Sequence, residues 1–329
     1  MIRVDNLTKF FGPVLAVDSI TFHVKQGEIV GFLGPNGAGK TTTMRILTSY
    51  LPATSGLVKV AGFDVLTQSM DVRKNIGYLP ESVPLYPEMR VEEYLHYRAR
   101  LKGVERKDRQ RRIEYCLDRC RIRGVRRRLM GTLSKGYRQR VGLADSMVHD
   151  PAILILDEPT SGLDPLQIRE TLALIKELGS KHTILLSTHI LSEVETVCER
   201  VIIINGGRVG LSKSLSALET QPVILVEVRG PADEVLAVVR TVPGVARVLK
   251  QTVPGDGLCG LEVYTSDDRD LREAVSQEIS KKGWPLRRLE RRRRKLEDAF
   301  FDVLREHDPL KEPPLQAVQD LSKKTAVTN

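Results

Sequence analysis

No apolar run in this chain approaches the ~18 residues that a membrane-spanning helix needs. Its opening, Met1-Ile2-Arg3-Val4-Asp5, lacks the apolar core of a secretory signal. Cysteine is scarce: there are four residues and no C-x-x-C pair, which argues for a reducing compartment and against a thiolate metal site. Cys116 and Cys120 lie one helical turn apart, but no further Cys or His nearby completes a ligand set, so they read as half-buried helix positions. A sustained heptad repeat is also missing, which excludes a long coiled coil. These absences predict a cytoplasmic protein without a transmembrane segment of its own.

What is present is ordinary in bulk and uneven in charge. The 329 residues are 41% hydrophobic and 28% charged, enough for one large domain and a small one. The net charge is +9, yet between Arg98 and Arg140 alone 17 Lys/Arg face only four acids, Glu105, Asp108, Glu114 and Asp118. Such a patch suits nucleic acid, an anionic membrane surface or a merely solvated helix face, and composition does not choose among them.

The most informative stretch is Gly34-Pro35-Asn36-Gly37-Ala38-Gly39-Lys40-Thr41-Thr42, which fits the P-loop pattern. It follows a short apolar run, 29–33, that reads as a buried strand, and it opens a helix from Thr42 onward. Glycines let successive backbone N–H groups converge on phosphate oxygens, and the helix start adds unpaired donors and a positive dipole end. Lys40 suits the β- and γ-phosphates, and the Thr41 hydroxyl suits Mg²⁺. The pattern implies a nucleoside triphosphate site.

Residues 2–30 alternate around turn signals and predict short antiparallel strands, with another over 57–62. Phe11 lies in this region; an aromatic there can stack on adenine or simply join the core. Residues 76–81 read as a strand running into a loop that carries Glu81. Helical spacing over 91–122, punctuated by Gly103 and Gly124, predicts an insertion of about three helices. Leu133-Ser134-Lys135-Gly136-Tyr137 precedes a helix expected over 141–149, so Ser134 and Gly136 sit at a helix start. Ile153-Leu154-Ile155-Leu156 reads as a parallel strand buried on both faces, ending in Asp157 and Glu158. Asp157 suits Mg²⁺, and Glu158 suits the deprotonation of an attacking water. Ser161-Gly162-Leu163-Asp164-Pro165 is a turn into a helix. A further buried strand, 184–188, ends in His189, within range of a γ-phosphate. Residues 201–204 followed by Asn205-Gly206-Gly207 read as a strand and hairpin turn.

Composition shifts near Gln221-Pro222. Strands over 223–229, 245–250, 259–265 and 285–290, with helices over 232–242 and 268–282, give the order βαββαβ of a ferredoxin-like unit. A basic run at 287–295 leads into a short amphipathic helix over 296–304, and the sequence from 306 onward predicts a disordered tail.

Taken in order, these motifs resemble the nucleotide-binding subunit of an ABC transporter over about residues 1–215. The resemblance implies an α/β fold: a P-loop NTPase cassette over 1–220 with a parallel core sheet, an antiparallel N-terminal sheet and a helical insertion at about 82–150. A small α+β ferredoxin-like domain over 221–305 and a tail over 306–329 complete the expectation. In that family two cassettes pair head to tail, as a homodimer or paired cassette, around two ATP molecules. By the resemblance Phe11 stacks on adenine, while Gly34, Asn36, Gly37, Gly39, Lys40, Thr41 and Thr42 hold phosphates and Mg²⁺. Asp157 supports the metal, Glu158 is the general base and His189 contacts the γ-phosphate. Ser134 and Gly136 serve the partner subunit's ATP, and Asp164 links the two sites.

Two departures stand out. Glu81 replaces the family's usual loop glutamine, and Leu-Ser-Lys-Gly-Tyr replaces Leu-Ser-Gly-Gly-Gln. Glu81 can still ligate Mg²⁺ but repels a bare triphosphate, and Lys135 offsets part of that. With the small C-terminal domain and Leu296-Glu297-Asp298-Ala299-Phe300, these variants resemble the exporter branch. The implied partner is a separate membrane permease, with this subunit peripheral on the cytoplasmic face of the cell membrane. A soluble ABC-type ATPase acting on ribosomes or nucleic acid is the alternative; the single P-loop and missing heptads count against it. The C-terminal unit is also a candidate ligand sensor.

Overall fold

In the computed structural model, which describes residues 1–219, 222–251, 253, 257–266, 269–293 and 295–306, the aliphatic runs become the centre of a sheet. The chain begins with β1 (Ile2–Phe11) and β2 (Val14–Val24), then β3 (Ile29–Leu33) and α1 (Lys40–Leu47). Next come β4 (Ser55–Val60), β5 (Phe63–Asp64), α2 (Ser69–Asn75) and β6 (Ile76–Leu79). The insertion carries α3 (Val91–Leu101), α4 (Arg106–Arg119) and α5 (Lys135–Met147). The core resumes with β7 (Ile153–Asp157), α6 (Pro165–Leu178), β8 (Thr183–Thr188), α7 (Leu191–Val197), β9 (Arg200–Asn205), β10 (Arg208–Ser214) and α8 (Leu215–Glu219).

β10-β9-β3-β8-β7-β6 form one sheet, parallel except for β10. Successive residues of a strand face opposite sides, so each central strand feeds two cores. Ile153 and Ile155 pack with α1 and the antiparallel sheet β2-β1-β4-β5, while Leu154 and Leu156 pack with the insertion and α6. The strands before the P-loop are not short: β1 and β2 have 10 and 11 residues. Register shifts between Val4 and Phe10 keep the long pair bent over the core, and they blur the alternation that marks a long strand in sequence.

α5 also begins earlier than periodicity suggests. Its helix starts at Lys135 rather than 141, because Ser134 is the N-cap and its hydroxyl accepts from Tyr137 N at 3.4 Å. It ends at Met147, so His149 lies beyond it, with Nε2 2.9 Å from the Ile76 carbonyl. Part of the basic patch is paired from within. Arg98 and Lys102 reach buried Asp145 at 2.9 and 3.0 Å, Arg112 reaches Asp150, Arg126 reaches Glu92 and Glu114, and Arg140 reaches Glu170. Burial alone would raise the Asp145 carboxyl, but Lys102 and Arg98 outweigh it and hold it below the usual range.

The smaller sheet is built from β11 (Pro222–Arg229), α9 (Ala232–Arg240), β12 (Val245–Gln251), β13 (Leu258–Thr265), α10 (Arg272–Lys281) and β14 (Leu286–Arg293). Its antiparallel order, β12-β13-β11-β14, is the ferredoxin-like arrangement, with α9 and α10 covering one face around Ile224, Val226, Val235 and Val275. The final helix, α11 (Leu296–Glu306), corrects the 221–305 boundary. Leu296, Ala299, Phe300 and Val303 belong to the core of the large sheet, not to that of the small one. Arg292 joins the two through Asp298, at 2.6 and 2.8 Å. Residues 307–329, expected to be a disordered tail, lie outside the described residues.

Candidate active site

Three neighbouring strands, β3, β8 and β7, end at the same edge of the large sheet, where open α/β sheets carry their ligands. β3 delivers the loop at 34–39. The loop turns through Gly39 at φ +102°, and a Cβ there would lie 2.7 Å from the Ala16 carbonyl oxygen; one on Gly34 would lie 2.3 Å from that of Ile204. No other residue type fits either position. α1 then starts at Lys40 with Gly39 as a cap that offers no side chain, so its first N–H groups face the loop. Thr42 sits half-buried in this first turn, and Asn36 and Gly37 are exposed at the loop's crest.

Lys40 Nζ is buried. It donates to the Gly34 and Pro35 carbonyls at 2.8 and 3.1 Å and lies 3.4 Å from Glu158 Oε1. The other oxygen of that carboxylate, Oε2, is 2.8 Å from His189 Nδ1. Glu158 thus spans the P-loop lysine and the histidine that follows β8. Its backbone adopts φ +48°, a conformation that a glutamate rarely takes. Bonds from Glu158 N to Ser187 O and Oγ, at 3.1 and 3.2 Å, and from Ser161 N to Glu158 O, at 3.0 Å, hold it there.

Asp157 is fully buried behind this cluster. Its Oδ1 accepts from Ser187 Oγ at 2.5 Å and Thr41 Oγ1 at 3.3 Å, while Oδ2 has no hydrogen-bond partner among the described residues. Burial raises its carboxyl, Glu158 and Glu81 add to that, and the Ser187 and Thr41 bonds oppose it. Tyr78, beside it on β6, is pushed up to about 12 by burial and by the Asp157 charge. A buried carboxylate with an orphaned oxygen, next to a threonine hydroxyl, is a donor set that suits Mg²⁺, which keeps nucleotide and water oxygens for its other positions.

Several expected site residues stand apart. Glu81 is exposed on the loop after β6, and its charge reaches Asp157 without a hydrogen bond. Phe11 is exposed at the end of β1, with Lys9 Nζ 5.1 Å from its ring centroid. Asp164 caps α6 by accepting from Leu166 N and Gln167 N at 3.0 and 2.9 Å. Among the described residues, no hydrogen bond or ion pair links Ser134, Gly136 or Asp164 to this chain's own P-loop. Lys135 lies over Gly162, in the space a side chain there would fill, so its cation rests on the turn before α6. Sequence reasoning missed Ser187, Thr188, Thr160 and Glu193. The hydroxyl pair at the end of β8 was the available signal for the first two; nothing local marks the others.

A model of the ABC transporter family matches residues 17–161. An uncharacterized ABC transporter ATP-binding protein, YxlF of Bacillus subtilis, is 32% identical over 304 residues, 92% of this chain and 99% of that protein. The chain belongs to the ATP-binding proteins of ABC transporters. This ABC subunit is also similar to the bacitracin transport ATP-binding protein BcrA of Bacillus licheniformis, 38% identical over 210 residues, 63% of this chain and 68% of that one. A solved dimeric post-hydrolysis ATP-binding cassette, MJ0796 bound to ADP and Pi, superposes with a TM-score of 0.60 at 25% identity, covering 65% of this chain and 99% of that one. The ABC subunit described here is an ATPase. None of its described helices is long and apolar enough to cross a membrane.

Proposed function

We propose that this subunit hydrolyses ATP as one of two cassettes paired head to tail, and that it drives export through a separate permease from the cytoplasmic face of the cell membrane. The observation that carries the chemistry is the line Lys40–Glu158–His189 at the sheet edge, with contacts of 3.4 and 2.8 Å. A triphosphate in the loop draws Lys40 from Glu158 onto the β- and γ-oxygens, and the backbone N–H groups left unpaired in the loop and the first turn of α1 complete the cradle. Glu158, then bonded only to His189, takes the proton of a water that attacks the γ-phosphorus; the bond to the β–γ bridging oxygen breaks, leaving ADP and phosphate. His189 steadies the γ-phosphate. Thr41 Oγ1 and Asp157 would hold Mg²⁺, which would supply charge neutralisation of the triphosphate. Phe11 stacks on adenine. Ser134 and Gly136, which have no bond to their own P-loop, act on the partner subunit's ATP, and Asp164 joins the two sites.

Export is supported by likeness to a bacitracin transport ATPase and by the accessory sheet. The internal pairing of part of the basic patch weakens the charge argument for nucleic acid as partner. A tagged subunit purified from detergent-solubilised membranes is expected to bring down an integral membrane protein. Copurification with ribosomes or RNA instead would overturn the transport role.

Glu81 supplies a test of the metal. An exposed carboxylate whose charge reaches Asp157 repels a bare triphosphate, and bound Mg²⁺ screens that repulsion. Without Mg²⁺, Glu81→Gln is expected to bind ATP about three- to tenfold more tightly than wild type, the effect of removing one like charge at short range. At saturating Mg²⁺ the two affinities converge. Superimposable Mg²⁺ titrations would leave Glu81 as a solvated loop acid.

A further inference from the structure

Glu193, on α7, is only 2% exposed and has no Lys or Arg partner among the described residues. Its Oε1 accepts from Thr160 Oγ1 at 2.6 Å, and its Oε2 accepts from Thr188 Oγ1 at 2.7 Å. Both threonines are buried, at 2% and 0% exposure. Thr160 stands two residues after Glu158, and Thr188 stands immediately before His189. Thr188 Oγ1 also accepts from Ile190 N at 3.1 Å, which leaves its proton for the carboxylate. The next residue, Val194, fills the space left by Gly31 on β3, so α7 is seated on the strand that delivers the P-loop.

A buried carboxylate without a cation is costly, and an apolar side chain would fill the same core position without that cost. Short charge-assisted O–H···O bonds are directional, so they fix distances that apolar packing leaves loose. Here both bonds end on the two segments whose side chains meet at the Glu158–His189 contact.

We propose that Glu193 is a positioning residue for ATP hydrolysis, its carboxylate holding the Glu158 segment and the His189 segment at a set separation through Thr160 and Thr188. The proposal rests on the roles given above to Glu158 and His189. Its action passes through those two residues, because Glu193 is buried and its carboxylate bonds to Thr160 and Thr188 rather than to either of them. Loss of one threonine bond lets its segment drift, and a displacement of about 1 Å at reacting groups can cost on the order of 100-fold in rate.

The test uses the full chain with its permease and compares Glu193→Gln, Glu193→Ala and Thr160→Val by melting temperature, ATP affinity and steady-state phosphate release. Glu193→Gln keeps one acceptor oxygen, and Thr160→Val deletes a single bond with little change of shape, so a folded variant is available even if Glu193→Ala unfolds. Thr160→Val is expected to melt and bind ATP as wild type does while kcat falls about tenfold or more. Glu193→Gln is expected to fall between Thr160→Val and wild type. In a His189→Ala background Thr160→Val should cost less than about twofold, since a residue acting through the contact has nothing left to position. A kcat within about twofold of wild type for Thr160→Val, an equal loss in both backgrounds, or a loss of ATP affinity in step with kcat would each overturn the proposal. Glu158→Gln and His189→Ala are run alongside. If these leave hydrolysis intact, the catalytic assignment has failed; if they lower it sharply to a measurable residual rate while Thr160→Val does not lower kcat, only the Glu193 proposal has.

Discussion

Glu158→Gln is expected to bind ATP with near wild-type affinity and to hydrolyse it about 10²- to 10⁴-fold more slowly, the usual range for losing a general base. The amide keeps the length and shape of the side chain. Its oxygen can still face His189, where Oε2 now lies 2.8 Å from Nδ1, and the strained backbone is held by Ser187 and Ser161 rather than by the side chain. What disappears is the capacity to accept a proton from water. Binding depends on Lys40, the loop N–H groups and Thr41, and the one contact altered, Lys40 to Glu158 at 3.4 Å, is one that a bound triphosphate displaces. A triphosphate that is bound but not cleaved should also prolong the closed pair of cassettes. Equilibrium ATP binding, steady-state phosphate release and size-exclusion chromatography with ATP measure the three consequences. Near-normal turnover by the variant would remove Glu158 from the role of base.

Ser134→Arg is expected to abolish hydrolysis while leaving ATP binding to the same subunit's P-loop unchanged. Ser134 caps α5 and makes no bond to the loop of its own chain, so the damage should appear on the partner's nucleotide. Arginine removes the cap hydroxyl and fills the helix start with a long cation, and loss of a cap costs only about 1 kcal/mol of helix stability. Lys40→Ala has the opposite defect, an intact Ser134 with a failed P-loop. Neither variant alone has a complete site, but a mixed pair has one. Random equimolar pairing makes half of the dimers mixed, so about a quarter of the wild-type rate should return if sites turn over independently. Phosphate release from the mixture against each variant alone decides the matter. Normal hydrolysis by Ser134→Arg alone would dismiss a site shared between subunits, and so would a mixture no faster than its parts.

Residues 34–42 declare a phosphate-binding loop in sequence because the requirement is local: glycines where the backbone crosses other chain segments, then a lysine and a hydroxyl on the first turn of a helix. Ile153–Asp157 and Thr183–Thr188 declare buried parallel strands for an equally local reason, since both of their faces are apolar. The βαββαβ order of the small sheet was likewise legible from alternation between turn signals. Other features lie outside any local window. The order β3-β8-β7, which brings Lys40, Glu158 and His189 together, depends on pairings between residues 155 and 30 positions apart. Register shifts hid the length of β1 and β2, and a capping serine moved the start of α5. The amphipathic face of α11 was visible, but which sheet it would cover was not, because an apolar stripe carries no address. The same holds for charge. Composition counted the arginines of the insertion, whereas only the tertiary packing decided which of them Asp145, Asp150, Glu92 and Glu170 would pair. Glu193 is the clearest case. In sequence it is one acid on a short helix, and only the fold sets its two oxygens within 2.7 Å of hydroxyls from the turn after β7 and the end of β8.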